Sequence, residues 1–154
     1  MQPRFLVDAM LGKLARWLVI LGYDAKFAGG DGRSDLELLK QAQSEDRVFV
    51  TKDRRIPAVA GLRMVVLLEN GFEEQLGELA RALSLKPDPD LLFSRCSDCN
   101  EKLDALSRED ALPLVPPKVR TLETSFRRCP KCGKLFWTGT HTERIAATLR
   151  RAGL

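Results

Sequence analysis

The first 85 residues combine short continuous apolar runs with longer stretches in which apolar residues recur every three or four positions. The short runs predict buried strands, and the spaced stretches predict amphipathic helices. Because strands and helices alternate along the chain, we expect an α/β fold with a parallel sheet and crossover helices. The predicted strands cover residues 4–8, 24–28, 48–51 and 64–68, and the predicted helices cover residues 10–21, 34–45 and 72–83.

Two local signals divide this pattern. Ser34 and Glu37 have the spacing of a capping box, which predicts that the second helix starts at Ser34. Residues 86–90 (KPDPD) contain two prolines and break the periodicity, as a domain boundary does. We therefore expect an α/β domain over residues 1–90 and a smaller domain over residues 91–154.

The pattern after this boundary does not support long helices. Pro113, Pro116 and Pro117 interrupt the middle of the second domain, which favours hairpins and loops. Residues 136–139 predict a final strand and turn. Residues 143–151 predict a short closing helix, with Thr140 or Thr142 as its cap.

The cysteines form two pairs, each with two residues between its members. They are Cys96, Cys99, Cys129 and Cys132. Two tight turns of this kind supply the four thiolates that tetrahedral zinc prefers. Asn100 and Gly133 directly follow the two turns, where a positive φ is needed. Two disulfides are the alternative and would require an oxidising compartment, so we expect a four-cysteine zinc ribbon in which the zinc is structural.

Composition and charge add two expectations. The chain is 44% hydrophobic and 30% charged, has no apolar run long enough for a membrane helix, and begins without a signal-peptide pattern, so we expect a cytoplasmic protein with no membrane partner. Basic residues number 13 against 14 acidic ones up to residue 92, and 12 against 7 after it. The second domain is therefore mildly basic, which suits contact with a phosphate backbone but also an ordinary solvated surface.

Three aspartates are candidates for chemistry. Asp8 and Asp53 follow apolar runs, so they should lie at the carboxyl edge of the parallel sheet, where α/β folds place their sites. Asp35 lies in the first turn of the helix that Ser34 opens and can face the same edge. Converging carboxylates repel one another unless a cation neutralises them, and Mg²⁺ or Mn²⁺ suits these oxygen ligands. Alternatively, Asp35 is a helix N-terminal charge and Asp53 is a turn residue in a surface ion pair.

The motifs together resemble a known family. Residues 5–18 (FLVDAMLGKLARWL), 21–24 (LGYD), 34–35 (SD) and 50–55 (VTKDRR) are similar to the PIN-like ribonuclease domain. The two cysteine pairs and residues 136–141 (FWTGTH) narrow the resemblance to the Mut-seven C-terminal ribonuclease family, over about residues 4–150. It implies a PIN-like three-layer fold joined to a zinc ribbon, and a metal-dependent ribonuclease whose acids are Asp8, Asp35 and Asp53.

Many PIN domains carry a fourth acid, and its identity in this chain is open. Glu69 ends a strand and Asp31 lies in a glycine-rich loop, while the capping box competes for Glu37. With Mg²⁺ or Mn²⁺ bound, a water would attack the scissile phosphate and leave a 5′-phosphate and a 3′-hydroxyl. The chain has one histidine and all its cysteines are assigned to zinc, so nucleophilic Cys/His catalysis is not expected.

The expected substrate is RNA, in a single-stranded form. Four cations near the acids could hold its phosphates, although a solvated surface explains them equally: Lys13, Arg16, Arg54 and Arg55. Phe136 and Trp137 could stack on unpaired bases or form part of a small core. A non-catalytic RNA-binding or ribosome-associated adaptor is the alternative function, and a homodimer is one assembly that small domains of this type adopt.

Overall fold

The computed structural model describes residues 1–139 and 141–154 and contains a parallel sheet with flanking helices, followed by a small antiparallel sheet. The parallel strands are β1 (Phe5–Val7), β2 (Ala25–Phe27), β3 (Val48–Thr51) and β4 (Met64–Val66). The main helices are α1 (Gly12–Ile20), α2 (Asp35–Ser44) and α3 (Phe72–Leu83). The smaller sheet is built from β5 (Asp104–Leu106), β6 (Phe126–Arg128) and β7 (Leu135–Trp137), with α4 (Arg108–Ala111) after β5 and α5 (His141–Arg151) at the end.

The strand order of the parallel sheet is β2-β1-β3-β4, which confirms the α/β prediction. Phe5 of β1 pairs with Ala25 of β2 on one side and with Val48 of β3 on the other. The chain moves outward from β1 to β2 and then crosses to β3 on the opposite side of β1. The direction in which successive strands are added therefore reverses between β1 and β3. In open α/β sheets, ligands bind at such a point, outside the carboxyl ends of the two strands.

Helices cover both faces of this sheet because its strands are apolar on both sides. Phe5, Val7 and Val50 point to one face, where they pack with residues of α1 and α3. Leu6 and Phe49 point to the other face, where they pack with residues of α2. All five are fully buried, so the parallel sheet is the middle layer of three.

The boundaries of α2 and α3 agree with the sequence prediction to within one residue, whereas the first helix differs from it. The Ser34 hydroxyl accepts from the Glu37 N–H and the Glu37 carboxylate accepts from the Ser34 N–H at 2.8 Å, which confirms the capping box. The helix predicted over residues 10–21 instead starts with a 3₁₀ turn, Ala9–Leu11, before α1. The N–H of Leu11 closes this turn by donating to the Asp8 carbonyl at 3.0 Å, and Oδ1 of Asp8 caps it by accepting from the N–H of Ala9 at 2.7 Å.

The small antiparallel sheet confirms that no continuous helix fills the stretch between the cysteine pairs. Short 3₁₀ turns at Leu112–Leu114 and Pro117–Val119 follow α4 and return the chain to β6. Four buried residues close a separate core under this sheet: Ala111, Val115, Val119 and Phe126.

The closing helix α5 starts at His141, two residues before the predicted start. The expected cap Thr140 lies outside the described residues, and the other expected cap, Thr142, lies inside α5. This helix packs against α3: Ala152 is buried in the core beside the parallel sheet, and Arg151 binds Glu73 at 2.7 Å. The division of the chain at residue 90 stays a prediction, with α5 contacting the first of the two predicted domains.

Asn100 connects the first cysteine turn to the parallel sheet. Its Nδ2 donates to Oδ1 of Asp24 at 2.7 Å, and its Oδ1 accepts from the N–H of Ala25 at 3.1 Å. Asn100 therefore occupies the free side of β2, the edge strand. Within residues 1–139 and 141–154, the structure has no helix with the length and apolar character required to cross a membrane.

Candidate active site and cysteine cluster

Asp8 directly follows β1, and both of its carboxylate oxygens are hydrogen-bonded. Oδ1 accepts from the N–H of Ala9, and Oδ2 accepts from the hydroxyl of Thr51 at 2.7 Å. The backbone N–H of Asp8 donates to the carbonyl of Val50 at 2.9 Å, which continues the β1–β3 pairing by one residue. The side chain is half-buried and is held by Thr51 of β3 and by the N–H of Ala9.

Thr51 links Asp8 to Asp53. Its hydroxyl donates to Asp8 and accepts from the backbone N–H of Asp53 at 3.0 Å. Because Thr51 is fully buried at the end of β3, this hydroxyl has no access to water and its two partners define its orientation. Sequence reasoning did not select Thr51, although a hydroxyl at the end of the apolar run 48–50 was the signal available.

Asp53 forms an ion pair with Arg55, which agrees with the alternative that Asp53 is a turn residue in a surface ion pair. Its Oδ1 accepts from the Arg55 N–H at 2.9 Å and from Nε at 3.1 Å. Hydrogen bonds from the Arg55 side chain and backbone lower the pKa of Asp53, so the carboxylate is ionised at neutral pH. The Arg55 side chain is 91% exposed, so this pair lies in water and contributes little to stability.

Asp35 is the first residue of α2 and is exposed. The hydrogen bond and charge of Asp53 raise the pKa of Arg55, and the charge of Asp35 adds to this effect, so Arg55 lies within the field of both aspartates. The three aspartates are less tightly gathered than the cysteines. Among residues 1–139 and 141–154, the four cysteines are the sole group of three or more His, Cys, Asp or Glu whose ligand atoms all lie within 4.8 Å.

The three candidates for a fourth acid differ in their partners. Glu37 is held by the Ser34 N–H and hydroxyl, and Asp31 forms an ion pair with Arg33 at 2.5 Å. Glu69 is exposed in the loop after β4. Glu37 and Asp31 are therefore engaged locally, and Glu69 presents its carboxylate to solvent.

A further acid, Glu78 of α3, fixes the loop after β4. Its carboxylate accepts from the N–H of Leu68 at 3.0 Å and from the N–H of Glu69 at 3.1 Å. Lys52 joins this loop to the one after β3 by donating to Oδ1 of Asn70 at 2.5 Å. The loops that follow β3 and β4 are thus held together at the carboxyl edge, a relationship without a local sequence signal.

The four predicted phosphate-binding cations are all exposed: Lys13, Arg16, Arg54 and Arg55. Nζ of Lys13 lies 4.7 Å from the ring centroid of Phe72, at the start of α3. Arg16, one turn further along α1, faces the region of the first cysteine turn, since its charge helps to lower the pKa of Asp98. Lys13 therefore lies nearer the carboxyl edge, and Arg16 lies nearer the antiparallel sheet.

The four cysteines converge as the sequence predicted. They are free of disulfides, and Sγ of Cys96 lies 3.8 Å from Sγ of Cys132. The two turns are built alike: the N–H of Asn100 donates to the Cys96 carbonyl at 2.8 Å, and the N–H of Gly133 donates to the Cys129 carbonyl at 2.9 Å. Asn100 has φ of 62° and Gly133 has φ of 75°, which confirms the predicted left-handed positions.

The thiols of this cluster respond to one another electrostatically. Burial alone would raise the pKa of Cys129, but backbone N–H groups of Cys132 and Lys131 outweigh it, and the pKa is about 7. The neighbouring Cys132 and Cys96 thiols raise the pKa of Cys99 to about 12. Four thiolates cannot coexist at this distance without a cation, so the donor set fits a tetrahedral zinc ion.

Comparison with known proteins identifies one family. The protein-family model described as the Mut7-C RNAse domain matches residues 3–149, which is nearly the whole chain. Neither a curated protein nor a solved structure gave a match.

Proposed function

We propose that this chain, which belongs to the Mut7-C RNAse domain family, hydrolyses phosphodiester bonds of RNA at the carboxyl edge of its parallel sheet, with Mg²⁺ or Mn²⁺ bound there. One observation carries the proposal. Asp8 and Asp53 follow the neighbouring strands β1 and β3, between which the strand order reverses, and they share the hydroxyl of Thr51. This is where α/β folds bind ligands, and carboxylates are the protein groups that bind these metals.

Asp8 and Asp53 are the proposed metal ligands, with Asp35 completing the site. Bound Mg²⁺ or Mn²⁺ supplies polarisation of a water and neutralisation of charge on the phosphoryl oxygens. Thr51 orients Asp8 by donating to Oδ2, which leaves the remaining lone pairs of that carboxylate to face the edge. Asp53 keeps its bond from the Arg55 backbone N–H, while the exposed guanidinium of Arg55 is free to exchange Asp53 for a substrate phosphate.

The cations nearby suit the two phosphates that flank the cut. Lys13 lies over Phe72 beside the edge, and Arg54 and Arg55 follow Asp53 directly. In-line attack by water on a PIN-type site of this kind leaves a 5′-phosphate and a 3′-hydroxyl. The proposed substrate is single-stranded RNA, because an extended strand can follow the edge without a groove of duplex width.

The four-cysteine cluster has a structural role in this proposal. Zinc bound by four cysteines has no open coordination position, so it stabilises the antiparallel sheet and takes no part in hydrolysis. The contacts of Asn100 with β2 then hold that sheet against the α/β part of the chain.

The test is cleavage of a single-stranded RNA labelled at its 5′ end. The zinc-loaded protein is expected to cut it with added Mn²⁺ or Mg²⁺ and not without them, and the Asp8→Asn variant is expected to lose at least 100-fold in rate while retaining its fold. Asp90→Asn is the matched control, because Asp90 is an exposed acid in a separate 3₁₀ turn. Equal cleavage by Asp8→Asn and the parent would overturn the assignment.

The alternative function is a non-catalytic RNA-binding adaptor. The pairing of Asp53 with Arg55 favours it, because an arginine in that position neutralises a carboxylate without any metal. The same assay separates the two, since an adaptor binds RNA and does not cut it with any metal. Cytoplasmic location and pairing of two copies stay expectations from the sequence.

A further inference from the structure

A groove separates α1 from the antiparallel sheet and the start of α5. It has a volume of about 390 Å³, which is within the range of small-molecule pockets. Trp17 of α1, Phe93 of the connecting segment and Phe136 of β7 line it. The groove therefore lies between the α/β part of the chain and the part that carries the cysteines.

Four Trp and Phe residues line this groove, and core packing explains only one of them, Trp137. Leu135 and Trp137 of β7 pack on the small core, so Phe136 between them points to the opposite face of the strand. Trp17, Phe93 and Phe136 are half-buried, and each lies outside the three core clusters found among the described residues. Trp17 contacts Phe72 at 5.3 Å between ring centroids, which continues the aromatic surface towards Lys13.

The charged residues that line the groove are all basic. Arg16, Arg95, Lys134 and Arg144 line it, and none of the described lining residues is acidic. Lys134 is paired with Asp98 at 2.8 Å, whereas within residues 1–139 and 141–154 neither Arg16 nor Arg144 forms an ion pair. A groove with aromatic walls and arginines at its rim fits a polyanion with flat apolar groups.

We infer that this groove binds unpaired nucleotides of RNA, with bases stacked on Phe136 and Trp17 and phosphates bound by Arg16 and Arg144. The inference rests on the proposed function for its substrate class and adds a second binding site on the same strand. Arg16 lies about 6 Å along α1 from Gly12, at a rise of 1.5 Å per residue. A single strand can therefore run from the groove along α1 to Asp8, whereas a blunt duplex cannot place unpaired bases in the groove.

The first test measures binding in the Asp8→Asn variant of the full chain, without Mg²⁺ or Mn²⁺. Fluorescence anisotropy with a labelled oligouridine of ten nucleotides, and with a blunt RNA duplex, gives the two dissociation constants. Phe136→Leu keeps an apolar side chain and loses the π face, and it is expected to weaken oligouridine binding about 5- to 100-fold. Phe136→Tyr is expected to bind within about twofold of the parent, since the ring is retained. Leu114→Ala is the control for an exposed apolar residue away from the groove.

The second test compares two arginines of the same helix. Arg144→Gln is expected to weaken binding and to reduce the slope of log K against log salt by about 0.7, the value for one phosphate of a single strand. Arg150→Gln removes an equal charge from α5 outside the groove and is expected to change neither quantity.

The outcomes distinguish the groove from the catalytic site. Phe136-dependent binding by a protein that never cuts RNA supports the groove and overturns the proposed ribonuclease. If Phe136→Leu and Arg144→Gln both cleave RNA normally and bind it with unchanged affinity, the groove proposal is overturned and the proposed ribonuclease activity is not. The groove proposal is also overturned if the duplex binds as tightly as oligouridine, or if neither RNA binds.

Discussion

The hydroxyl of Thr51 donates a hydrogen bond of 2.7 Å to Oδ2 of Asp8, from the end of one parallel strand to the residue after its neighbour. The same oxygen accepts from the backbone N–H of Asp53. One buried side chain therefore sets the relative positions of the two aspartates on which the proposed chemistry depends. In the proposed mechanism Thr51 is a positioning residue, because its hydroxyl contacts the aspartates and would not contact the RNA.

Replacing Thr51 with valine tests this role. Thr51→Val keeps the side-chain shape and removes the hydroxyl, which leaves the Asp53 N–H without its partner and costs about 1–2 kcal/mol of stability. We expect a loss of kcat of at least tenfold with KM nearly unchanged, measured as metal-dependent RNA cleavage. Thr51→Ser restores the hydroxyl and should recover most of kcat; a Thr51→Val enzyme with parental kcat would show that the contact is only structural.

The buried arginine Arg47 predicts how stability depends on pH. Burial alone would raise the pKa of Asp24, but hydrogen bonds from Arg47 and Asn100 lower it to about 2. Burial alone would also raise the pKa of Glu45, but hydrogen bonds from Lys26 and Arg47 lower it to about 2. Because both pKa values are lower in the folded chain, this stabilisation is complete above pH about 4.5 and is lost as the pH falls towards 2. Urea unfolding at pH 7, 4.5, 3 and 2 should show the free energy of unfolding falling over that interval.

Arg47→Met identifies the source of this dependence. It leaves Asp24 and Glu45 without their buried cation and should lower the free energy of unfolding by about 3–5 kcal/mol at pH 7. The matched control is Lys26→Met, which removes only an exposed partner of Glu45 and should cost no more than about 1 kcal/mol. Equal costs for the two variants would contradict the account of Arg47.

The cysteine cluster predicts a metal content and an order of unfolding. Cys132→Ser should reduce bound zinc, measured by atomic absorption, from one ion per chain to a small fraction of that. Amide exchange should then accelerate in β5 and β6 before it changes in β1, because the proposed zinc ligands lie next to the antiparallel sheet. Ser97→Ala changes a residue of the other cysteine turn that supplies no ligand atom, so it should keep the zinc. A full zinc content in Cys132→Ser would show that the cluster is not its site.

Much of the architecture follows from the local pattern. The runs at residues 5–7 and 48–50 are apolar at every position, as a parallel strand covered on both faces requires. The aspartates that follow these strands were therefore expected at the carboxyl edge. The turns at Asn100 and Gly133 were also predictable, because each residue directly follows a cysteine pair and both residue types tolerate a positive φ.

Long-range relationships were not predictable in the same way. Arg47 stands between Asp46 and Val48 and has the local sequence of a surface residue, yet its side chain is 2% exposed. It is paired with the nearby Glu45 and also with Asp24, which comes from a distant segment. Ala152 has too small an apolar side chain to predict burial against α3. From the sequence, Phe136 could belong to a core or to a binding surface. The structure distinguishes the two, because its neighbours Leu135 and Trp137 face the small core and Phe136 does not.

Diffraction from crystals soaked in Mn²⁺ tests the central claim most directly, because anomalous scattering locates the ion without any assumption about activity. We predict Mn²⁺ at bonding distance from carboxylate oxygens of Asp8 and Asp53, with the guanidinium of Arg55 displaced from Asp53. An Asp53–Arg55 pair that persists at saturating Mn²⁺, with no ion at Asp8, would contradict a metal-dependent ribonuclease at this edge.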